Sequence, residues 1–91
     1  MMTEQNKKAL IAVKKANSLT SKIIEMIESG DYCIDIMQQN LAAIGLLRSA
    51  HESLMENHLN GCFKSAMQTT NTKKQQQMTE EILKVTKLFN K

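Results

Sequence analysis

The sequence predicts an all-α fold, and three observations carry that prediction. The 91 residues contain no proline. The apolar residues are chiefly Leu, Ile, Met and Ala, which favour helix, and the aromatics are only Tyr32, Phe63 and Phe89. Those apolar residues recur at three- and four-residue intervals, the spacing of one helix face, and no run alternates as a strand would. A chain this short predicts one helical domain over residues 1–91. Such a domain is marginal alone, and association is a common remedy.

The first helix is predicted from about Thr3 to Glu28. Thr3 can cap its start and Glu4 suits the first turn. Val13, Ala16, Thr20, Ile23 and Ile27 mark its apolar face, with Leu10, Ile24 and Met26 beside it. Ser29-Gly30 is a stop signal, because glycine readily takes the left-handed conformation after a helix. Asp31 reads as the N-cap of a second long helix through Cys33, Ile36, Met37, Leu41, Ile44, Leu47, Leu54 and His58. Asn60-Gly61 predicts a kink or break, since glycine in a helix interior costs about 1 kcal/mol. A short helical piece from Phe63 to about Gln68 follows, then a loop over Thr69–Thr72. Thr72 with Gln75 has the form of a capping box that opens a third helix, whose face carries Met78, Ile82, Val85 and Phe89. Two long helices and a shorter one close a core poorly, and the first two are apolar on more than one side. Protomers are therefore expected to join in a larger helical bundle.

Charge excludes little. Lys and Arg number 12 against 9 Asp and Glu, a surplus compatible with an anionic partner and equally with an evenly solvated surface. The N-terminus has no signal-peptide core. The longest uncharged stretch, Ile36 to Leu47, is too short for a bilayer and contains Gln38, Gln39 and Asn40. A soluble cytoplasmic protein is expected, with no membrane partner. In that reducing compartment the two cysteines are thiols or metal ligands rather than a structural disulfide.

His58 and Cys62 are four residues apart, so on a helix they share a face and form half of a metal site. Cys33 lies 29 residues before Cys62, and a straight helix would separate the two by roughly 40 Å. One helix cannot bring all three to one ion, but two antiparallel copies can, with Cys33 of one beside His58 and Cys62 of the other. Two thiolates and an imidazole suit a soft cation, and three ligands fit trigonal Cu(I), whereas structural zinc normally takes four. The competing reading makes Cys33 and Cys62 ordinary buried cysteines, and spacing alone does not decide. His51, on much the same face as His58, is an accessory ligand or a plain surface or core residue. Met26, Met37, Met55 and Met78 sit at core spacings and are read as filling. No catalytic arrangement convinces. There is no glycine-rich phosphate loop, and a Cys nucleophile with His58 as base lacks loops to build a substrate pocket.

Two segments carry a resemblance. Tyr32-Cys33-Ile34-Asp35-Ile36-Met37-Gln38-Gln39 and Glu56-Asn57-His58-Leu59-Asn60-Gly61-Cys62-Phe63 resemble the second helix of the copper-sensing repressor (CsoR) family, with no gap between them. Glu80-Glu81-Ile82-Leu83-Lys84-Val85 looks like the family's third helix. The resemblance implies three helices per protomer, an antiparallel four-helix-bundle dimer, and a dimer of dimers. It implies Cu(I) held by Cys33 of one protomer and by His58 and Cys62 of its partner. Tyr32 and Glu80 would support those ligands, with Glu81 the alternative to Glu80 because the alignment needs a short insertion within 69–77. Branches of the family that sense nickel or cobalt carry His where Cys62 stands, and a persulfide-sensing branch lacks the middle His.

The first helix departs from the family pattern. Positions at which relatives carry DNA-contacting arginines fall on Ala12 and Ser49, and Lys7, Lys8, Lys14, Lys15, Lys22 and Arg48 are the available cations. Lysine neutralises phosphate but lacks the bidentate fork of arginine. Two functions follow from the resemblance. One is a Cu(I)-responsive repressor that releases operator DNA when copper binds, its DNA face including Lys14, Lys15, Lys22 and Arg48. The other is a copper-binding helical protein that no longer recognises specific DNA and serves as a buffer or as a modulator of a true repressor.

Overall fold

The structure, a computed structural model, describes residues 2–91. Every regular element among them is helical: α1 (Glu4–Glu28), α2 (Cys33–His58), a π-helical turn (Leu59–Phe63), α3 (Lys64–Met67) and α4 (Thr72–Phe89). α1, α2 and α4 are the three predicted helices. The chain divides into two compact units, the first ending at Asn57 and the second covering His58–Lys91.

In the first unit, Thr3 caps α1 as expected: its hydroxyl accepts the Asn6 N–H at 3.1 Å. At the other end Gly30 takes φ +70°. The Gly30 N–H donates to the Ile27 carbonyl at 3.1 Å and the Asp31 N–H to the Met26 carbonyl at 3.0 Å. These two bonds form a Schellman motif, which gives the last carbonyls of α1 their donors. Asp31 therefore belongs to the close of α1 and is not the cap of α2. The Tyr32 carbonyl accepts the first bonds of α2, from Asp35 at 3.0 Å and Ile36 at 3.2 Å, so Tyr32 holds the cap position.

α1 and α2 pack antiparallel through small side chains. Ala9, Ala12 and Ala50 form a buried cluster, and the Thr3 hydroxyl donates to Asn57 Oδ1 at 2.6 Å. The same register sets Ala16 opposite Ala43, both buried. The buried line of α1 is thus Ala9, Ala12, Ala16 and Ile23, with Leu19 and Met26 half-buried along it. This corrects the expected face. Ala16 and Ile23 lie on the seam, but Val13, Thr20 and Ile27 are exposed. Alanines let two helix backbones approach closely, whereas a seam of Val and Ile would hold them apart. On α2 the buried residues are Ala43 and Ala50, while Met37, Leu41, Ile44, Leu47 and Leu54 remain exposed.

In the second unit the break expected at Asn60-Gly61 takes the form of the π-helical turn, followed by the short α3. Asn71, not Thr72, caps α4: its Oδ1 accepts the Lys74 N–H at 3.1 Å. Thr72 is already the first helical residue. Gln75, expected to complete a capping box, instead donates through Nε2 to the carbonyls of Thr69 at 2.6 Å and Met67 at 3.3 Å. Those carbonyls lie where α3 ends and no following turn of helix can supply donors. On α4, Met78, Ile82 and Phe89 are half-buried as expected, and Val85 is exposed.

Candidate metal centre

Cys33 is the first residue of α2 and follows Tyr32, and both are exposed. His58 is the last residue of α2 and is half-buried. Cys62 sits within the π-helical turn, exposed. Both cysteines are free thiols. Their exposure removes the reading of them as small apolar residues filling the core of this chain. The donor set is two soft sulfurs and one borderline nitrogen, the chemistry that suits a soft cation. Among the described residues, no three His, Cys, Asp or Glu side chains of the single chain converge on a metal position.

The π-helical turn has a local consequence that spacing alone does not reveal. Residues five apart diverge on an α-helix, but they come together where hydrogen bonding runs from i to i+5. The His58 and Phe63 rings accordingly lie 6.4 Å apart between centroids, inclined at 49°. Phe63 is a wall for the His58 imidazole, and sequence reasoning gave it no role. On α4, Glu80 is exposed and its Oε1 accepts a hydrogen bond from Gln76 Nε2 at 3.3 Å. Glu81 beside it is exposed as well.

Lys7, Lys8, Lys14, Lys15 and Lys22 of α1 are all exposed, as is Arg48 of α2. At 3.6 residues per turn, Lys8, Lys15 and Lys22 fall at seven-residue steps along one side of α1. Lys7 and Lys14 run along the adjoining line. Leu10, Val13, Ile24 and Ile27 occupy the other flank, across the alanine seam from Lys8, Lys15 and Lys22, and are exposed too. Lys7 lies 3.6 Å from Glu4 in an exposed pair, which contributes little to stability. Ala12 is 9% exposed within the seam, so a side chain there serves packing against α2. Ser49 is exposed.

An all-helical chain with two accessible thiols, an imidazole backed by an aromatic ring and a lysine-bearing first helix has the makings of a helical metal-responsive protein. The chain belongs to the metal-sensitive transcriptional repressor family, whose model matches residues 5–90. It is similar to the copper-sensing transcriptional repressor CsoR of Mycobacterium ulcerans (strain Agy99), 36% identical over 66 residues, 72% of this chain and 56% of the relative. The proteins of the same name from Mycobacterium bovis (strain BCG / Pasteur 1173P2) and Mycobacterium tuberculosis (strain ATCC 25618 / H37Rv) are 33% identical over the same shares. The chain thus spans little more than half the length of these relatives. No helix among the described residues is long and apolar enough to cross a membrane.

Proposed function

We propose that this chain is a cytoplasmic, Cu(I)-responsive transcriptional repressor, working as one domain over residues 1–91 and as a homo-oligomer. The observation that carries the proposal is the placement of the donors on α2. Cys33 opens this 26-residue helix and His58 closes it, so the two stand about 38 Å apart along it at 1.5 Å per residue. At 3.6 residues per turn, Cys33, Met37, Ile44, His51, Met55 and His58 share one face. That face has a donor at each end, with Met37, Ile44, His51 and Met55 between. A second copy laid antiparallel along it sets Cys33 opposite the partner's donor end and covers Met37 and Ile44, exposed in the single chain. Cys33 of one copy with His58 and Cys62 of the other would hold one Cu(I), the ion supplying the charge that ties the two copies' helix ends together. Tyr32 adjoins Cys33, and Glu80 on α4 would orient the imidazole through its free ring nitrogen.

The DNA face would be the lysine side of α1, with Lys14, Lys15 and Lys22, together with Arg48. Lysines spaced by whole heptads follow a phosphate backbone by charge rather than by base edges. The chemistry is regulatory rather than catalytic. A gel-shift titration against the DNA upstream of its own gene tests this reading. Specific binding by the apo protein, weakened about tenfold or more by Cu(I), is expected, and DNA must then weaken Cu(I) binding by the same factor.

One observation favours a second reading, a copper-binding helical protein without specific DNA recognition. Ala12, where the resemblance leads one to expect an arginine, is buried in the α1–α2 seam. Binding that ignores both sequence and copper would establish that reading instead.

A further inference from the structure

The Thr3 hydroxyl does two things at once. Its oxygen accepts the Asn6 N–H at 3.1 Å, which starts α1, and its proton goes to Asn57 Oδ1 at 2.6 Å. Lys7, one turn into α1, donates its N–H to the Thr3 carbonyl at 3.0 Å. Asn57 is the residue before His58 on α2. A side-chain bond spanning 54 residues of sequence therefore fastens the first turn of the lysine-bearing helix to the backbone beside a metal-ligand candidate. We propose that Thr3 and Asn57 form a latch that couples the His58 end of α2 to the first turn of α1, and so to Lys7 and Lys8, which extend the lines of Lys14, Lys15 and Lys22 toward the start of that helix. This rests on the reading of His58 as a ligand.

The geometry gives the latch its leverage. A helix start leaves its first N–H groups without intrahelical partners, so the Thr3 cap governs how far the turn frays. Asn57 and His58 adjoin in one helix, so a turn of His58 toward a ligating pose shifts the Asn57 side chain. A bond of this geometry tolerates little displacement before it weakens. Release of Asn57 leaves Thr3 to cap α1 alone, and Lys7 and Lys8 become less ordered. Disorder there lowers affinity for a phosphate backbone, because ordering those turns must then accompany binding. Thr3 and Asn57 are positioning residues and touch neither metal nor DNA in this account.

Hydrogen exchange at the Asn6 and Lys7 amides tests the latch, measured with and without Cu(I) on the full chain. In the wild-type protein Cu(I) should speed exchange at both amides about threefold to tenfold, the range expected for one hydrogen bond. Asn57→Ala should exchange at the faster rate without copper and respond no further to it. Thr3→Ser, which keeps the hydroxyl, should behave as wild type. Thr3→Val, which loses the cap to the Asn6 N–H as well as the bond to Asn57, should exchange faster still than Asn57→Ala and respond no further to copper. In operator titrations Asn57→Ala should show a smaller ratio of apo to copper-loaded affinity than wild type. If Asn57→Ala takes up Cu(I) and its exchange and operator affinity respond as in wild type, the latch is overturned while the metal site stands. If wild-type protein takes up no Cu(I), the site reading falls, and the latch with it.

Discussion

Gly30 and Gly61 show how differently one residue type serves this chain. Gly30 holds φ +70°, and a Cβ there would meet nothing within 4 Å, so a substitution fails on backbone conformation and not on space. Gly30→Ala should destabilise the fold by about 1–2 kcal/mol in urea unfolding. Gly61 has ordinary negative φ and open space around its Cβ position. Gly61→Ala should therefore leave stability unchanged or raise it by about 0.5–1 kcal/mol, by lowering the entropy of the unfolded chain. A large loss on Gly61→Ala would mean that a second copy approaches the π-helical turn closely. The residue scale was also where the sequence was most nearly legible. Thr3 and Gly30 act as their chemistry suggests, while two caps fall one residue from the expected place. Asp31 is drawn into the Schellman motif of α1, and Asn71 outcompetes Thr72 because its amide oxygen reaches the Lys74 N–H. The two errors differ in origin. Asp31 is taken up by the close of α1, which leaves the cap position of α2 to Tyr32, whereas Asn71 and Thr72 both have capping side chains and differ in backbone conformation, which composition does not reveal.

At the scale of the element, α1 presents three faces: a buried alanine seam, an exposed lysine flank and an exposed apolar flank. The three-four spacing sets the expected face through Val13, Thr20 and Ile27, whereas α2 packs on the alanine line beside them. Alanine gives a weak hydrophobic signal, since little area is buried per residue, yet it decides which face lets two backbones approach. Ala50→Leu should consequently cost about 1–3 kcal/mol by overpacking the seam, measured by thermal unfolding. The same size change at an exposed position of α1, such as Ser18→Leu, should cost far less. The lysine flank makes its own prediction. Lys14→Ala combined with Lys15→Ala should weaken DNA binding and flatten the dependence of log affinity on log salt by about 1–2 units. Cu(I) affinity of the DNA-free protein should hardly move, because neither lysine is a proposed ligand. An unchanged slope would remove both residues from the DNA face. The π-helical turn was legible only as a disturbance at Asn60-Gly61, since a glycine that weakens a helix interior does not distinguish i+5 bonding from a break. With it went the contact of His58 with Phe63.

The whole molecule presents apolar surface that a lone chain leaves to water. Leu10, Ile24, Ile27, Met37, Leu41 and Leu47 are all exposed, and full burial of each such side chain is worth about 1.5–3 kcal/mol. Their removal from water on association is the driving force for the proposed assembly. The proposal that more than one copy builds the site comes from the sequence itself, from the separation of Cys33 from His58 and Cys62 that helical rise imposes. Which copies pair, and how many, depends on surface complementarity that one chain's sequence does not encode in any periodic pattern. The most direct test mixes two defective proteins. Cys33→Ala protomers retain His58 and Cys62, Cys62→Ala protomers retain Cys33, and neither alone can complete the proposed ligand set. Isolated heterodimers, assayed by titration with a competing Cu(I) chelator, should bind one Cu(I) per dimer at wild-type affinity, while each parent homodimer binds none so tightly. Heterodimers no better than their parents, with mixing verified, would contradict a site shared between two copies.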